Sequence, residues 1–353
     1  MSLKKMPWFA AAVVLTATGS VFLLSAGEDR HFDSRIAFIQ PNASTPGGDI
    51  YTMNPDGSDV RQLTNLGANN GASWQNWSAD GRQLVFSEYP NNGPGQLWLM
   101  NADGSHQHLL LSEADYGENA PSFSPDGVWV VFTRCQNNPN GNGCAIYRIR
   151  TDGGGLSPVT DFQLEVSDWE PVYSPDGMTI AFDSFSRDGL IVAIWLMNAD
   201  GSDIHPLTPP ELVGVNPQWS RDGEKIVFRS HFANPQNNDI WVINRDGSGL
   251  RRLTGSPSSD LDIPVAYYNE GPSWSPRGHA VVFDQYEVET NSQTIFVVDA
   301  DSGRRTQLMK FSARRPQNRT QSSVREFHRR RRQHMPHEIE QSGFWARWSP
   351  ELY

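Results

Sequence analysis

The sequence predicts an all-β protein: a six-bladed β-propeller of four-stranded antiparallel blades, its ring closed by a C-terminal strand that completes the first blade. Three observations predict it. Two short phrases alternate along most of the chain, and periods of this length mark stacked architectures. Gly 30 and Pro 24 supply turns, while Trp 12, Tyr 9 and Phe 17 supply strand-forming side chains. The two ends of the chain carry complementary fragments of one repeat.

The first phrase is an aromatic residue, Ser, Pro or another residue, Asp-Gly, and then an apolar pair ending in Phe. It occurs as Trp77–Gly81 with Leu84–Phe86, Phe123–Gly127 with Val130–Phe132, and Tyr173–Gly177 with Ile180–Phe182. It recurs as Trp219–Gly223 with Ile226–Phe228, and as Trp274–Gly278 with Val281–Phe283, where Arg277 replaces Asp. Trp348–Pro350 is a last, truncated copy. The leading aromatics are 46, 50, 46, 55 and 74 residues apart, and the regular gaps match the roughly 40–50 residues of a propeller blade.

The second phrase is an alternating strand, Asp-Gly, then Leu-Thr. Ile50–Asn54 is followed by Asp56-Gly57 and Leu63-Thr64, Ile194–Asn198 by Asp200-Gly201 and Leu207-Thr208, and Ile240–Asn244 by Asp246-Gly247 and Leu253-Thr254. Leu97–Asn101, Ile146–Ile149 and Ile295–Val298 head the other copies. Each repeat thus reads as four strands. Strand A ends at the aromatic-Ser pair, B is the Ile-Ala-Phe type, C the Ile-Trp-Leu-Met type, and D ends at Leu-Thr. Asp-Gly suits the A–B and C–D turns because glycine reaches positive φ without steric cost. Apolar faces on a four-stranded sheet demand neighbouring sheets.

Blade number follows by closing the count. Ile36–Phe38, Ile50–Asn54 and Leu63-Thr64 supply B, C and D of a first blade that has no A before it. Phe344–Ser349 supplies an A with nothing after it. The last strand therefore completes the first blade.

These phrases, Ser-Pro-Asp-Gly…Ile-Ala-Phe…Ile-Trp-Leu-Met-Asn-Ala-Asp-Gly-Ser…Leu-Thr, resemble the TolB-type WD-like propeller repeat over residues 35–309 and 344–350. The Gly-His…Trp-Asp signature of the true WD repeat is absent. The resemblance implies a six-bladed ring with a protein-binding habit in the periplasm, where TolB-type proteins bind a lipoprotein. It also implies an N-terminal α/β domain, for which the residues ahead of Ile36 leave no room, so that domain is expected to be missing.

Strand order places the short Asp-Gly turns on one face of the ring and the longer B–C and D–A loops on the other. The loops include Pro41–Asp49, Tyr89–Gly95, Gln136–Gly143, Phe185–Leu190, His231–Asn238 and Gly255–Gly271. Loops on rigid scaffolds carry function, so the binding site is expected at the loop-bearing mouth. Residues just before the aromatic of each strand A line it: Trp74, Glu118, Asn119, Asp168, Trp169, Glu170, Asn216, Asn269, Glu270 and Trp345. Carboxylates among amides and tryptophans suit a basic segment of a partner or a hard cation; the same residues also read as a solvated funnel in an acidic protein. The reading taken is a protein or peptide partner in the cell envelope, with no cofactor and no metal assigned. The isolated His231, and His106 with His108, do not make a metal site.

Charge sharpens the partner class. With 29 Lys and Arg against 40 Asp and Glu the net charge is −11, which argues against nucleic acid. Residues 310–334 hold one Lys, eight Arg and one Glu, a local +8 that leaves the rest near −19. Residues 310–343 are therefore expected to be a basic, disordered insertion that docks on an anionic polymer, lipid or acidic surface; the alternative is a misread stretch of coding sequence, in which case the Trp348–Pro350 match is a coincidence. Lys4, Lys5 and the apolar run Trp8–Leu24 have the layout of an export signal. Residues 1–26 are expected to be cleaved near Ser25–Gly27 or kept as an anchor, the membrane's one contact with the protein, and 27–353 to form a single propeller domain.

Cys135 and Cys144 flank the predicted Gln136–Gly143 loop. In an oxidising compartment a disulfide would staple it; the alternative is two free buried thiols. No G-x-S-x-G, H-E-x-x-H, P-loop or G-x-G-x-x-G occurs. The function read from the sequence is an exported, non-catalytic binding module. The alternative is a propeller-type lyase or hydrolase, acting on polysaccharide or peptide, with its site in the mouth.

Overall fold

The computed structural model describes residues 34–41, 48–91, 93–137, 143–163, 166–189, 192–230, 238–255, 267–287, 290, 292–312 and 347–348. The export segment, Trp345 and residues 313–343 of the basic segment lie outside the described residues.

Antiparallel hairpins build most of the described chain; single pairs, Gly48 with Ala72 and, in parallel, Cys144 with Ser167, link the first four-stranded group to the second and the third to the fourth. Strands β1 (Ile36–Pro41), β2 (Gly48–Met53) and β3 (Arg61–Gln62) pair in sequence. The next sheet is β4 (Asn70–Trp77), β5 (Gln83–Pro90), β6 (Gln96–Asn101) and β7 (His108–Leu111). It is followed by β8 (Tyr116–Phe123), β9 (Trp129–Gln136), β10 (Cys144–Arg150) and β11 (Ser157–Pro158). Then come β12 (Ser167–Tyr173), β13 (Thr179–Phe185), β14 (Val192–Asn198) and β15 (His205–Pro206). The pattern repeats in β16 (Val215–Trp219), β17 (Lys225–Ser230), β18 (Asp239–Asn244) and β19 (Arg251–Arg252). It repeats again in β20 (Tyr267–Trp274), β21 (Ala280–Glu287), β22 (Ser292–Asp299) and β23 (Arg305–Ser312). Finally β24 (Arg347–Trp348) returns to the first sheet, with Trp348 opposite Ile36 and Arg347 opposite Ala37. Among the described residues no helix is long and apolar enough to cross a membrane.

Side chains in the two phrases explain why the hairpins form. In the A–B turns the serine donates to the aspartate two residues on (Ser78 to Asp80, 2.6 Å; Ser220 to Asp222, 2.6 Å), and its oxygen accepts a backbone N–H from across the turn (Gln83, 2.9 Å; Lys225, 2.9 Å). The Ser174 hydroxyl and then the Met178 amide hold Asp176 down to about 2. In the C–D turns the aspartate caps the serine two residues on, as Asp200 does for Ser202 and Asp246 for Ser248. Gly104 shows why glycine closes these turns: its φ is +84°, and a Cβ there would sit 2.8 Å from the Leu63 carbonyl oxygen of the preceding sheet.

The Leu-Thr ending has its own task. The hydroxyls of Thr64, Thr160, Thr208 and Thr254 accept the N–H of Ile50, Ile146, Ile194 and Ile240, the isoleucine that opens the second phrase in four of the repeats. These amides are buried, so Thr160→Val, which keeps the shape, should leave one without an acceptor and cost about 1–3 kcal/mol. Urea denaturation of the variant checks this.

The phenylalanine that ends the first phrase, inside each strand B, belongs to the core. Phe38, Phe86, Phe132, Phe182, Phe228 and Phe283 are all essentially fully buried. They sit between sheets: Phe86 with Ile39 and Ile50 of the preceding sheet, and Phe228 with Ile194 and Leu196. Ile36, Phe38 and Met53 of the first sheet pack with Val282 and Ile295 of β21 and β22.

Cys135 and Cys144 face each other across β9 and β10 and form a disulfide, with Cα atoms 4.2 Å apart; the free-thiol alternative does not hold. The structure also moves one boundary. Residues 310–312, expected to begin the basic insertion, belong to β23, where Lys310 is opposite Thr294 and its ammonium is 3.6 Å from Glu287. β23 is longer than the other outer strands because ladder pairing continues past the usual Leu-Thr end, and local charge does not prevent it.

Candidate functional site at the inner strands

Strands β4, β8, β12, β16 and β20 share one irregularity. The ladder to the next strand slips between Ser73 and Asn76, Asn119 and Ser122, Trp169 and Val172, Val215 and Gln218, and Glu270 and Ser273. Trp74, Ala120, Glu170, Asn216 and Gly271 all have positive φ at that point. In four of the five strands a proline follows (Pro121, Pro171, Pro217, Pro272) and supplies no ladder N–H, which favours a bulge. The bulge turns a backbone N–H toward the neighbouring sheet. Glu170 donates to the Thr133 hydroxyl at 3.0 Å and Asn216 to Asp183 Oδ1 at 3.3 Å.

The bulge sorts the mouth residues into two groups. Asn119, Trp169 and Glu270, each one residue before a bulge, keep part of their surface exposed, as does Val215 at the same position. Trp74, Glu118, Asp168, Glu170, Asn216 and Asn269 are buried.

Buried carboxylates need partners, and arginines provide them. Asp168 accepts from Arg187 at 2.6 Å and 3.3 Å and from the Ser184 hydroxyl at 2.6 Å. Glu270 pairs with Arg229 at 2.9 Å. Glu118 lies 3.9 Å from Arg134, whose guanidinium also bonds Glu113 and stacks 3.8 Å from the centre of the Tyr116 ring. Neither Glu118 oxygen has a hydrogen-bond donor, and burial lifts this carboxyl to about 7 against the pull of Arg134. Asn269 is held by the Asn238 carbonyl and by Gln285.

Deeper in, Glu170 accepts from the Asn216 amide. Burial, and then the neighbouring Asp183, push the Glu170 carboxyl well above the usual carboxylate range. Arg347 lies nearby, 3% exposed, donating to the Pro272 carbonyl at 2.6 Å. Burial lowers its guanidinium to about 10 against the pull of Glu170 and Asp284. Trp74, Ala120, Glu170, Gln218 and Arg347 surround a small cavity of about 10 Å³, room for roughly one water.

A model of the TolB beta propeller domain matches residues 24–318. The chain belongs to the TolB beta propeller domain family. The crystal structure of TolB from Acinetobacter baumannii superposes with a TM-score of 0.65 at 21% identity, covering 90% of this chain and 67% of that one. In sequence, the uncharacterized protein Atu1656 of Agrobacterium fabrum is 28% identical over 164 residues, 45% of this chain and 52% of the relative. The Tol-Pal system protein TolB of Anaeromyxobacter dehalogenans is 32% identical over 125 residues, 35% of this chain and 26% of the relative. The matched part thus spans about half of one curated relative and about a quarter of the other.

In this TolB-family propeller, Arg134, Arg187, Arg229 and Arg347, and with them Asp183 and Asp284, join the site although none was among the residues expected from the sequence. A signal existed for two of the arginines and both aspartates. Asp183, Arg229 and Asp284 each directly follow a strand-B phenylalanine, and Arg134 stands one position further on. Arg187 and Arg347 sit outside the phrases and carried none.

Proposed function

We propose that the protein is an exported, non-catalytic binding module of the cell envelope: a six-bladed ring, closed by β24 on the first sheet, that takes a protein or peptide partner at its loop-bearing mouth. The match to the TolB beta propeller domain over residues 24–318 carries this reading. The return of β24 to β1 and the packing of Ile36 and Phe38 against Val282 and Ile295 support the closed ring.

The mouth group Trp74, Glu118, Asn119, Asp168, Trp169, Glu170, Asn216, Asn269, Glu270 and Trp345 divides the work. Asn119, Trp169 and Glu270 offer surface to the partner, and the buried members hold the strands that present them. Because Asp168 and Glu270 are paired with arginines and burial raises the Glu118 carboxyl, the partner need not be strongly basic. A part-exposed tryptophan at the rim of a rigid mouth is the anchor type that dominates protein interfaces.

Immobilised protein should retain an envelope protein from detergent extracts of its own source. With that protein purified, Trp169→Ala should weaken binding about 30-fold, the equivalent of about 2 kcal/mol. Affinity unchanged by Trp169→Ala and by Asn119→Ala would move the site away from the mouth.

A further inference from the structure

The inner strands end in a feature that the mouth does not use. They run from the loop face to the short-turn face, and at their far end they surround a cavity of about 380 Å³ that is open to solvent. Small-molecule sites span roughly 300–1,000 Å³. The aromatic residue of each complete first phrase stands in its wall, one from each of five inner strands. The amides of Asn76 and Gln218 and the hydroxyls of Ser122 and Ser273 add polar contacts. Two guanidinium groups complete the lining: buried Arg347 inside and exposed Arg221. No Asp or Glu lines it among the described residues, in a chain with 40 acidic and 29 basic residues.

We propose that this cavity binds a small, flat organic carboxylate, its charged end toward Arg347 and Arg221 and its ring against the aromatic wall. A guanidinium matches a carboxylate with two parallel hydrogen bonds, and aromatic side chains favour a flat apolar body. Arg347, held near 10, stays charged at neutral pH. Its neighbour Glu170, whose carboxyl burial raises above the usual carboxylate range, offsets part of that charge from outside the cavity lining. Asp284 does likewise.

The test uses the full chain and tryptophan fluorescence at neutral pH, with sodium benzoate and the neutral isostere benzamide as probes. Benzoate should give a saturable change with a half-saturation at least about tenfold lower than benzamide. Arg221→Ala, an exposed substitution that spares the core, should raise the benzoate value at least about threefold and leave benzamide unchanged. Equal half-saturation for the two probes, no saturable benzoate signal, or indifference of benzoate to Arg221→Ala overturns the proposal.

Discussion

Removing residues 347–353 should lower the stability of the protein by at least about 3–5 kcal/mol, or prevent folding outright. Three losses add up. Ile36 and Ala37 lose their ladder partners Trp348 and Arg347, which leaves β1 as a bare edge. The Trp77 indole N–H loses the Arg347 carbonyl, 3.4 Å away in the neighbouring sheet. Above all, Glu170 and Asp284 lose the buried guanidinium beside them, and removing one member of a buried charge group leaves the others uncompensated. Denaturant unfolding monitored by fluorescence measures the change. Arg347→Met, which keeps the strand and removes the charge, should account for a large part of it. A truncated protein with an unaltered midpoint would refute closure of the ring by β24.

The second large effect is a pH dependence centred on Glu118. Its folded carboxyl sits at about 7 against an ordinary 4.5. Between those values the folded protein binds a proton that the unfolded chain has released. Its contribution to stability is therefore full below about pH 4.5 and is lost as the pH rises through about 7, amounting to about 3 kcal/mol. Glu118→Gln fits the same space and does not titrate. Wild type and variant should therefore converge at low pH, and by pH 8 the variant should be the more stable. Urea midpoints at pH 5 and pH 8 decide the matter; parallel profiles for the two proteins would remove Glu118 as the source. Glu170 and Asp239 are also raised by burial and slope both profiles in the same direction, so the difference between the proteins is the informative quantity.

Much of the candidate site was legible because it repeats. Counting back from each leading aromatic places Trp74, Glu170 and Asn216 at equivalent positions, and the structure finds all three in the left-handed conformation at a bulge. Counting could not say which of the mouth residues would be buried. A single residue of offset separates part-exposed Trp169 from buried Glu170, and the bulge that sets this offset depends on pairing with the next strand. The acidic mouth expected from the sequence is largely neutralised, since Arg187 lies 19 residues from Asp168 and Arg229 lies 41 residues before Glu270.

The sequence by itself determined the local structure: where the strands turn, which threonine caps which strand, and that Cys135 meets Cys144 across a hairpin. Each rests on side chains interacting within one repeat, where spacing alone brings them together. Tertiary structure decided the rest. Arg347 reaches the Pro272 carbonyl 75 residues away, and Asn216 reaches Glu170 across 46. Such partners meet because sheets pack side by side, and a chain read one residue at a time carries no record of which buried charge will find which.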